Sequence, residues 1–162
     1  MEKLQSLLIK YLTENARYTI AQLASMTGAD EATVCAAIKE LEENGTIIKY
    51  SAIVNTDKVE GESVDALIEV KVKPQKLNGF DAFAEELCEF KEVRSLYLMS
   101  GAYDLAVFIS AKTLTEVARF VSEKLSAVDG VISCSTHFIL KKYKVEGQNT
   151  TLPSERERQI LL

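Results

Sequence analysis

Apolar residues in the first 45 positions recur with the spacing of three short α-helices. Those within 4–12 fall on one continuous stripe, which predicts a first helix. Thr19 is a suitable N-cap for a second helix that ends at Gly28. Asp30 is a suitable N-cap for a third helix that ends at Gly45. Three short helices with a glycine turn between the last two predict a helix-turn-helix.

After the third helix the pattern changes to a run of residues typical of β-strands. The run "TIIKYSAIVN", residues 46–55, predicts a wing strand that leads out of a first domain spanning residues 1–55. The segment "TDKVEGES", residues 56–63, gathers charge, glycine and serine between two apolar patterns. We therefore expect a linker there.

The second half alternates strand and helix patterns in a characteristic order. A strand, a helix, two strands, a helix and a long strand are predicted at 64–72, 80–88, 93–99, 105–110, 113–125 and 131–143. Thr113 and Glu116 form a capping box at the start of the second of these helices. The order βαββαβ predicts an α+β, ferredoxin-like domain over residues 64–144.

In a ferredoxin-like domain both helices cover the same face of an antiparallel sheet. The pattern places Val93, Tyr97 and Met99 on one face of the second strand and Leu96 and Leu98 on the other. The closing strand divides in the same way, into Val131 and Ile139 against Ile132, Cys134, Thr136, Phe138 and Leu140. Because both faces are apolar, we expect the uncovered face to pack against another subunit.

Composition adds the class of protein and a constraint on its partners. The chain has 162 residues, a formal charge of −5 and 47% apolar residues, typical of an ordinary globular protein. It shows neither a signal-peptide pattern nor an apolar run long enough for a bilayer, so we expect a cytoplasmic protein with no membrane partner. Residues 1–56 hold seven acidic and five basic residues. DNA binding must therefore rest on shape and local placement rather than on net charge.

Cysteine and histidine usage argues against a catalytic or metal site. The three cysteines are far apart with no CxxC spacing, so we expect them to be reduced and buried. His137 is the single histidine, and a structural or interface role is the simplest interpretation. We therefore expect no catalytic residue, no metal and no cofactor.

Two stretches carry a resemblance to a known family. These are "LMSGAYDLAVFI" at residues 98–109 and "VDGVISCSTHFILKKYK" at 128–144. With the helix-turn-helix before them, they resemble the effector loop and closing strand of the Lrp/AsnC, or feast/famine, family of transcriptional regulators. The resemblance covers residues 1–144 and leaves 145–162 as a C-terminal tail. Within that tail, Pro153 is suited to begin a short helix.

The resemblance implies a regulator that dimerises through its sheets, assembles towards an octamer, and binds an amino acid or related metabolite between subunits. The expected effector contacts are Ser100, Gly101, Ala102, Tyr103, Asp104 and, more weakly, Thr136. Gly101 would let the backbone turn close to a ligand. Tyr103 would cover the ligand, and Asp104 would accept from its ammonium group. The alternative for this loop is a plain hairpin turn that Asp104 caps.

The recognition helix departs from the family pattern. Where family members commonly carry arginine, this chain has Ala36, Ala37 and Glu40, and it has Gln5 in place of an acid in the first helix. The expected contacts with double-stranded DNA are therefore few: Thr33, Ala36, Lys39 and Lys49. We expect weak binding at each head, strengthened when several heads bind together.

Two alternatives remain at this point. The acidic recognition helix also suggests a metabolite-binding assembly or co-regulator that has lost most of its DNA affinity. Siroheme decarboxylases resemble the same two-domain architecture, but their site uses basic residues and histidines. This chain has "IIKYSAIVN" at residues 47–55 without paired arginines, and one histidine.

Overall fold

The computed structural model describes residues 2–59, 63–73 and 79–151. The chain divides into two compact units, one extending to Val54 and the other beginning at Asn55. We call them the helical unit and the sheet unit.

The helical unit contains the three predicted helices: α1 (Glu2–Glu14), α2 (Ile20–Thr27) and α3 (Glu31–Glu43). Their apolar stripes meet in one core, in which Leu8, Leu23 and Val34 are at most 1% exposed. Each such side chain contributes roughly 2 kcal/mol through removal from water. The helix-turn-helix is therefore confirmed.

Both predicted caps are present in the helical unit. The Thr19 hydroxyl accepts from the Gln22 amide at 3.2 Å, and the Gln22 side chain accepts from the Thr19 amide at 2.9 Å. Asp30 caps α3 by accepting from the Thr33 amide at 2.9 Å. These bonds satisfy amide groups that a helix start leaves without an intrahelical acceptor.

The predicted wing strand is wrong. Residues 46–55 form no regular strand, and most of their apolar side chains are exposed, with Ile48 90% and Ile53 51% accessible, whereas Ile47 packs against the helical core. The segment has the composition of a strand, but no strand of the described chain pairs with it. A β conformation needs such a partner for its backbone groups.

The sheet unit contains the βαββαβ order, confirming the α+β, ferredoxin-like prediction. Its elements are β1 (Val64–Val72), α4 (Asp81–Cys88), β2 (Val93–Leu98), β3 (Leu105–Ala111), α5 (Leu114–Arg119) and β4 (Val131–Phe138). The four strands form an antiparallel sheet in the order β2-β3-β1-β4. One face packs against the helices, where Phe83, Leu87 and Val117 join the buried strand residues in a single core.

Two valines lie on the face opposite to the predicted one. Val93 pairs with Ile109 and Val131 pairs with Val72, and both valines pack against the core under the helices. The strand pairing shifts register just after Val93 and beside Lys71. A one-residue irregularity reverses the face of every side chain beyond it, so strict alternation fails at these positions.

The final helix and the closing strand also differ from the predicted lengths. α5 continues as a π-helical turn (Phe120–Lys124) and a 3₁₀ turn (Leu125–Ala127). β4 ends at Phe138 rather than at 143, because its partner β1 begins at Val64 and offers little further backbone to pair with.

The tail after β4 forms a small hairpin of β5 (Lys144–Val145) and β6 (Gln148–Asn149). Its two turn residues, Glu146 and Gly147, both have positive φ, as a type I′ hairpin turn requires. The sequence prediction had missed this hairpin within the tail. The helix predicted after Pro153 lies outside the described residues.

The cysteines are less buried than predicted. Cys35 and Cys88 are exposed free thiols, and Cys134 is partly buried. Burial raises the pKa of the Cys134 thiol, which favours its protonated form. Cys35 and Cys88 sit at the margins of apolar helix faces, where sequence periodicity does not separate buried from exposed positions.

Candidate functional site

The outward side of α3 is formed mainly by small side chains. Val34, Ala37 and Leu41 are buried, so helical spacing turns Ala36 and Lys39 outward, and both are exposed. Two of the four predicted DNA contacts therefore share this surface. A helix side with short side chains can approach a groove closely.

Two of the three acidic side chains late in α3 are held on its flanks, while Glu43 lies on the same side as Lys39. Glu40 accepts from the Gln5 side-chain amide of α1 at 2.9 Å. Glu42 accepts from the Tyr50 hydroxyl at 2.9 Å. Both carboxylates are thereby held beside the outward side rather than on it. Glu43 lies 3.5 Å from the Lys39 ammonium, in an exposed pair worth little in water.

Tyr50 fixes the segment that follows α3. Partial burial, together with the hydrogen bond to Glu42, raises the pKa of the Tyr50 hydroxyl to about 12. The hydroxyl therefore keeps its proton and remains a donor to Glu42 across the ordinary pH range. This bond connects the exposed segment to the flank of the recognition helix.

The other two predicted DNA contacts lie apart from the centre of the outward side. The Thr33 hydroxyl donates to Asp30 at 2.6 Å, and this bond helps to hold the Asp30 pKa below its usual value. Thr33 is exposed but already committed to the helix cap. Lys49 is exposed in the segment after α3.

The loop between β2 and β3, residues 99–104, is anchored through Asp104. Its backbone amide donates to the Val70 carbonyl at 3.0 Å, and its carboxylate accepts from the Val72 amide at 2.9 Å. Val72 lies where the β1 pairing shifts register, so the carboxylate satisfies an amide beside that irregularity. Asp104 therefore caps the Val72 amide, and binding of a ligand ammonium group would be a second role for the same carboxylate.

Four consecutive amides in this loop, from Ser100 to Tyr103, donate to no other group within the described residues. Ser100, Gly101 and Ala102 are exposed. Gly101 does not take a positive φ, and a Cβ there would meet nothing within 4 Å. The turn itself therefore does not require glycine, contrary to the sequence rationale.

Thr136 is separated from the loop within one chain. It pairs with Ile68 on the helix-covered face of β4, and β1 lies between β4 and β3. His137 lies on the opposite face, as predicted, with its Nε2 3.5 Å from a Glu69 carboxylate oxygen and 3.3 Å from the Ser135 hydroxyl. The structure thus brings the five loop residues together and leaves Thr136 apart from them.

Several contacts at these sites were missed by sequence reasoning. The bonded residues Gln5 and Glu40 are 35 positions apart in the sequence, and Asp104 and Val72 are 32 positions apart. Local periodicity carries no information about bonds across such separations. The absence of the usual acid at Gln5 was the one available signal, because an acid beside Glu40 would repel it.

Comparison with known proteins decides the family. Residues 65–148, more than half of the chain, match the Lrp/AsnC ligand binding domain. Residues 1–48 match a winged helix-turn-helix DNA-binding domain. The chain belongs to the Lrp/AsnC family.

Curated Lrp/AsnC relatives are similar over most of their length. The chain is 48% identical over 142 residues to the uncharacterized HTH-type transcriptional regulator YugG of Bacillus subtilis strain 168, covering 87% of this chain and 86% of that protein. It is 33% identical over 144 residues to the HTH-type transcriptional regulator LrpA of Pyrococcus horikoshii, covering 89% and 99% respectively.

Solved structures support the fold. The transcriptional regulator NMB0573 of Neisseria meningitidis, in complex with L-Met, matches with a TM-score of 0.69 and 24% identity over 97% of this chain and 99% of that chain. AsnC of E. coli matches with a TM-score of 0.67 and 21% identity over 90% of this chain and 95% of that chain.

This Lrp/AsnC chain is therefore a DNA-binding transcriptional regulator with a small-molecule effector domain. Within the described ranges, no helix combines the length and apolarity needed to cross a membrane. Among the same residues, no group of three or more His, Cys, Asp or Glu side chains is arranged to hold a metal ion.

Proposed function

We propose that this regulator is a cytoplasmic protein that binds an amino acid at the 99–104 loop and catalyses no reaction. Its subunits pair through their sheets into a homodimer, and dimers assemble towards an octamer. Effector bound between subunits changes the spacing of the DNA-binding heads, which couples two separate sites. The effector contacts are Ser100, Gly101, Ala102, Tyr103 and Asp104 from one chain, with Thr136 as a weak contact.

The observation that carries the effector site is the row of amides without acceptors in that loop. Successive backbone N–H groups that lack internal partners favour a carboxylate. The Asp104 carboxylate beside them favours an ammonium group. An amino acid carries both charges. The fold neighbour from Neisseria is described in complex with L-Met, which agrees with this ligand class.

The open space at Gly101 supports a site shared between subunits. A Cβ at this position would meet nothing within 4 Å among the described residues of its own chain. Glycine would be needed there only if a second molecule or a ligand approached the backbone closely. The separation of Thr136 from the loop agrees with this arrangement, because Thr136 could complete the site only from another subunit.

The arrangement of α3 supports weak DNA binding by each head. Ala36 and Lys39 leave the outward side low in bulk, and Glu40 and Glu42 are bonded to its flanks. Lys39 and Lys49 supply the phosphate contacts, while Thr33 borders the helix start. With two cations per head, binding one head must raise the effective concentration of the next to yield useful affinity.

The effector site is tested by thermal stabilisation of the purified protein with each of the common amino acids. Asp104→Asn keeps an oxygen for the Val72 amide but removes the charge. We expect it to melt close to the parent without ligand and to lose the stabilisation. Gly101→Glu should lose it as well, by placing a carboxylate in the site. Full stabilisation in both variants would show that the effector binds elsewhere.

DNA binding is tested by recovering genomic fragments with the purified protein at low and moderate salt, with and without mixed amino acids. We expect a small set of promoters at low salt, changed by the amino acids. If no promoter is enriched at low salt, the chain acts as a co-regulator with little DNA affinity, an outcome suggested by the excess of acidic residues over basic ones in 1–56.

A further inference from the structure

A second cleft opens in the sheet unit, at the end of β3 remote from the effector loop. It has a volume of about 660 Å³ and lies among the start of β2, the end of β3 and the helix that begins with α5. The loop precedes Leu105 and the cleft includes Ala111, six residue steps along the same strand. At a strand rise of 3.3 Å per residue, the two places are about 20 Å apart.

The cleft is rich in positive charge although the whole chain is acidic. Its lining includes five basic side chains: Lys91, Arg94, Lys112, Arg119 and Lys124. It includes three carboxylates: Glu92, Glu116 and Glu123. The lining therefore has an excess of two positive charges within a protein of formal charge −5. Such a local reversal of sign attracts anions into the cleft.

Two of the three carboxylates are already engaged by the protein. Glu92 accepts from the Lys124 ammonium at 2.7 Å, a bond that holds the Glu92 pKa below its usual range. Glu116 accepts from the Lys112 backbone amide at 2.8 Å, at the start of α5. Glu123 lies 3.9 Å from Arg119 in an exposed pair that is worth little in water.

Three of the cations make no salt bridge with another described residue, although Arg94 helps to lower the pKa of the Asp65 carboxyl and Lys91 that of Glu92. In the described part of the chain, Lys91, Arg94 and the Lys112 ammonium make no direct ion pair with a carboxylate. They come from two elements that converge on the cleft, the β2 start and the β3 end. A planar carboxylate presents two oxygens in one plane, whereas a phosphate presents three acceptor oxygens in different directions. Donors that converge from several sides suit phosphate.

Two further features of the lining favour a ligand larger than a bare ion. The cleft volume exceeds that of one phosphate, and its wall includes Ala111 and Ser63, with the edge of the largely buried Phe120 behind them. Glu92 also has a second carboxylate oxygen that is buried and has no hydrogen-bond partner among the described residues. A carboxylate oxygen only accepts hydrogen bonds, so this one suits a hydroxyl group on the ligand rather than its phosphate.

We propose that this cleft binds a small phosphorylated metabolite, with Lys91, Arg94 and Lys112 holding its phosphate. The site is separate from the amino-acid loop and gives the regulator a second small-molecule input. The two sites consist of different residues and bind ligands of different charge. Ligand binding at the cleft therefore does not depend on ligand binding at the 99–104 loop.

The test is isothermal titration calorimetry of the full chain with ribose 5-phosphate, with ribose and inorganic phosphate as comparison ligands, at ionic strength fixed by NaCl. The variant Lys91→Gln/Lys112→Gln removes two exposed cations from the cleft. Its matched control, Lys71→Gln/Lys144→Gln, makes the same charge change at exposed lysines elsewhere in the sheet unit. All four positions are on the surface, so both variants should fold.

We expect saturable binding of ribose 5-phosphate, weaker binding of inorganic phosphate and no binding of ribose. The cleft variant should lose about tenfold or more in affinity, the scale of two charge-assisted hydrogen bonds, and the control should change little. The Asp104→Asn variant should bind the phosphate like the parent, which separates this site from the effector loop.

Three results would overturn the proposal. One is the absence of saturable binding to either phosphate compound. Another is an equal loss in the cleft variant and its control, which would indicate attraction to general surface charge. The third is weaker DNA binding by the cleft variant without any small-phosphate binding by the parent, which would assign the cleft to the DNA backbone.

Discussion

Gly130 is the residue whose replacement the structure most clearly forbids. It follows the last helical turn with φ of +90°, and a Cβ there would lie 2.7 Å from the Cζ atom of Phe83. Phe83 is only 1% exposed and belongs to the core, so its ring has little room to move. Gly147 shares the positive φ but has nothing within 4 Å. Substitution of Gly130 therefore causes both backbone strain and steric overlap, whereas substitution of Gly147 causes backbone strain alone.

We therefore expect Gly130→Ala to destabilise the sheet unit by roughly 3 kcal/mol, as backbone strain and overpacking add. Gly147→Ala should cost about 1 kcal/mol, from backbone strain alone. Urea unfolding followed by circular dichroism measures both. Equal losses in the two variants would mean that the Phe83 ring yields without cost.

Asp65 joins β1 to the chain after β4 through a salt bridge with Lys142. Burial raises the pKa of the Asp65 carboxyl, but hydrogen bonds from Lys142 and Ser110 outweigh it and leave the pKa below 3.8. A lowered folded pKa contributes stability above the unfolded pKa, and that stability is lost as the pH falls through the folded value.

Asp65→Asn should therefore lower the free energy of unfolding by about 1 kcal/mol at pH 7, and the difference from the parent should shrink as the pH falls below 3.8. Asp129→Asn, which changes an exposed carboxylate of the same unit, serves as the control. A gap for Asp65→Asn that stays constant from pH 7 to pH 3 contradicts the role of its charge.

Helices α1 and α3 are joined by a hydrogen bond between the side chains of Gln5 and Glu40. The resemblance leads us to expect an acid in the first helix and arginine on the recognition helix, whereas this chain bonds Gln5 to Glu40. The exchange keeps a contact between the helices while giving α3 a negative charge. The helices stay connected by the Gln5–Glu40 hydrogen bond, so the absence of arginine on α3 does not disturb the fold.

Gln5→Glu should lower the free energy of unfolding of the helical unit by about 0.5 kcal/mol, because two carboxylates would then face each other. The double variant Gln5→Glu/Glu40→Arg should regain that loss and bind DNA more tightly than the parent. Thermal unfolding and fluorescence anisotropy check the two effects. Additive stability changes in the double variant would show that the residues do not interact.

Most elements could be predicted from the sequence because the patterns and caps that indicate them are local. The α1 stripe, the Thr19 and Asp30 caps and the order of strands follow from spacing and short-range chemistry. The faces of Val93 and Val131 could not be predicted, since they depend on register shifts between strands. The loop was recognisable as a candidate site, but its anchoring through Val72 joins residues 32 positions apart.

The 46–55 segment shows the same limit for a whole element. Its composition is that of a strand, yet strand formation depends on a partner, and the described chain supplies none. Exposed Ile48 and Ile53 mark it as a surface that a single chain leaves open. Its contact with α3 through Tyr50 could not be read from a periodic pattern either.

The net negative charge of the whole molecule opposes binding to DNA. The formal charge is −5, and the expected phosphate contacts per head are Lys39 and Lys49. A dimer with four such contacts should show a slope of about −4 in a plot of log affinity against log salt concentration. This is a shallow dependence of affinity on salt concentration for a DNA-binding regulator.

Lys39→Gln should reduce that slope by about 2 for the dimer, because each head loses one phosphate contact. Lys10→Gln removes an exposed lysine from α1 and should leave the slope unchanged. Fluorescence anisotropy over a salt series measures both. A parent slope much steeper than −4 would reveal phosphate contacts beyond these two lysines.

The hydrogen bond from the Asn55 side chain to the Thr150 carbonyl, 2.6 Å long, brings together the two ends of the described sheet unit. A module whose entry and exit lie side by side can be inserted into a surface loop of another protein without stretching its host. Residues 55–150 are therefore suited to grafting between the halves of a reporter, where ligand binding by the module would be converted into a change in the reporter's signal.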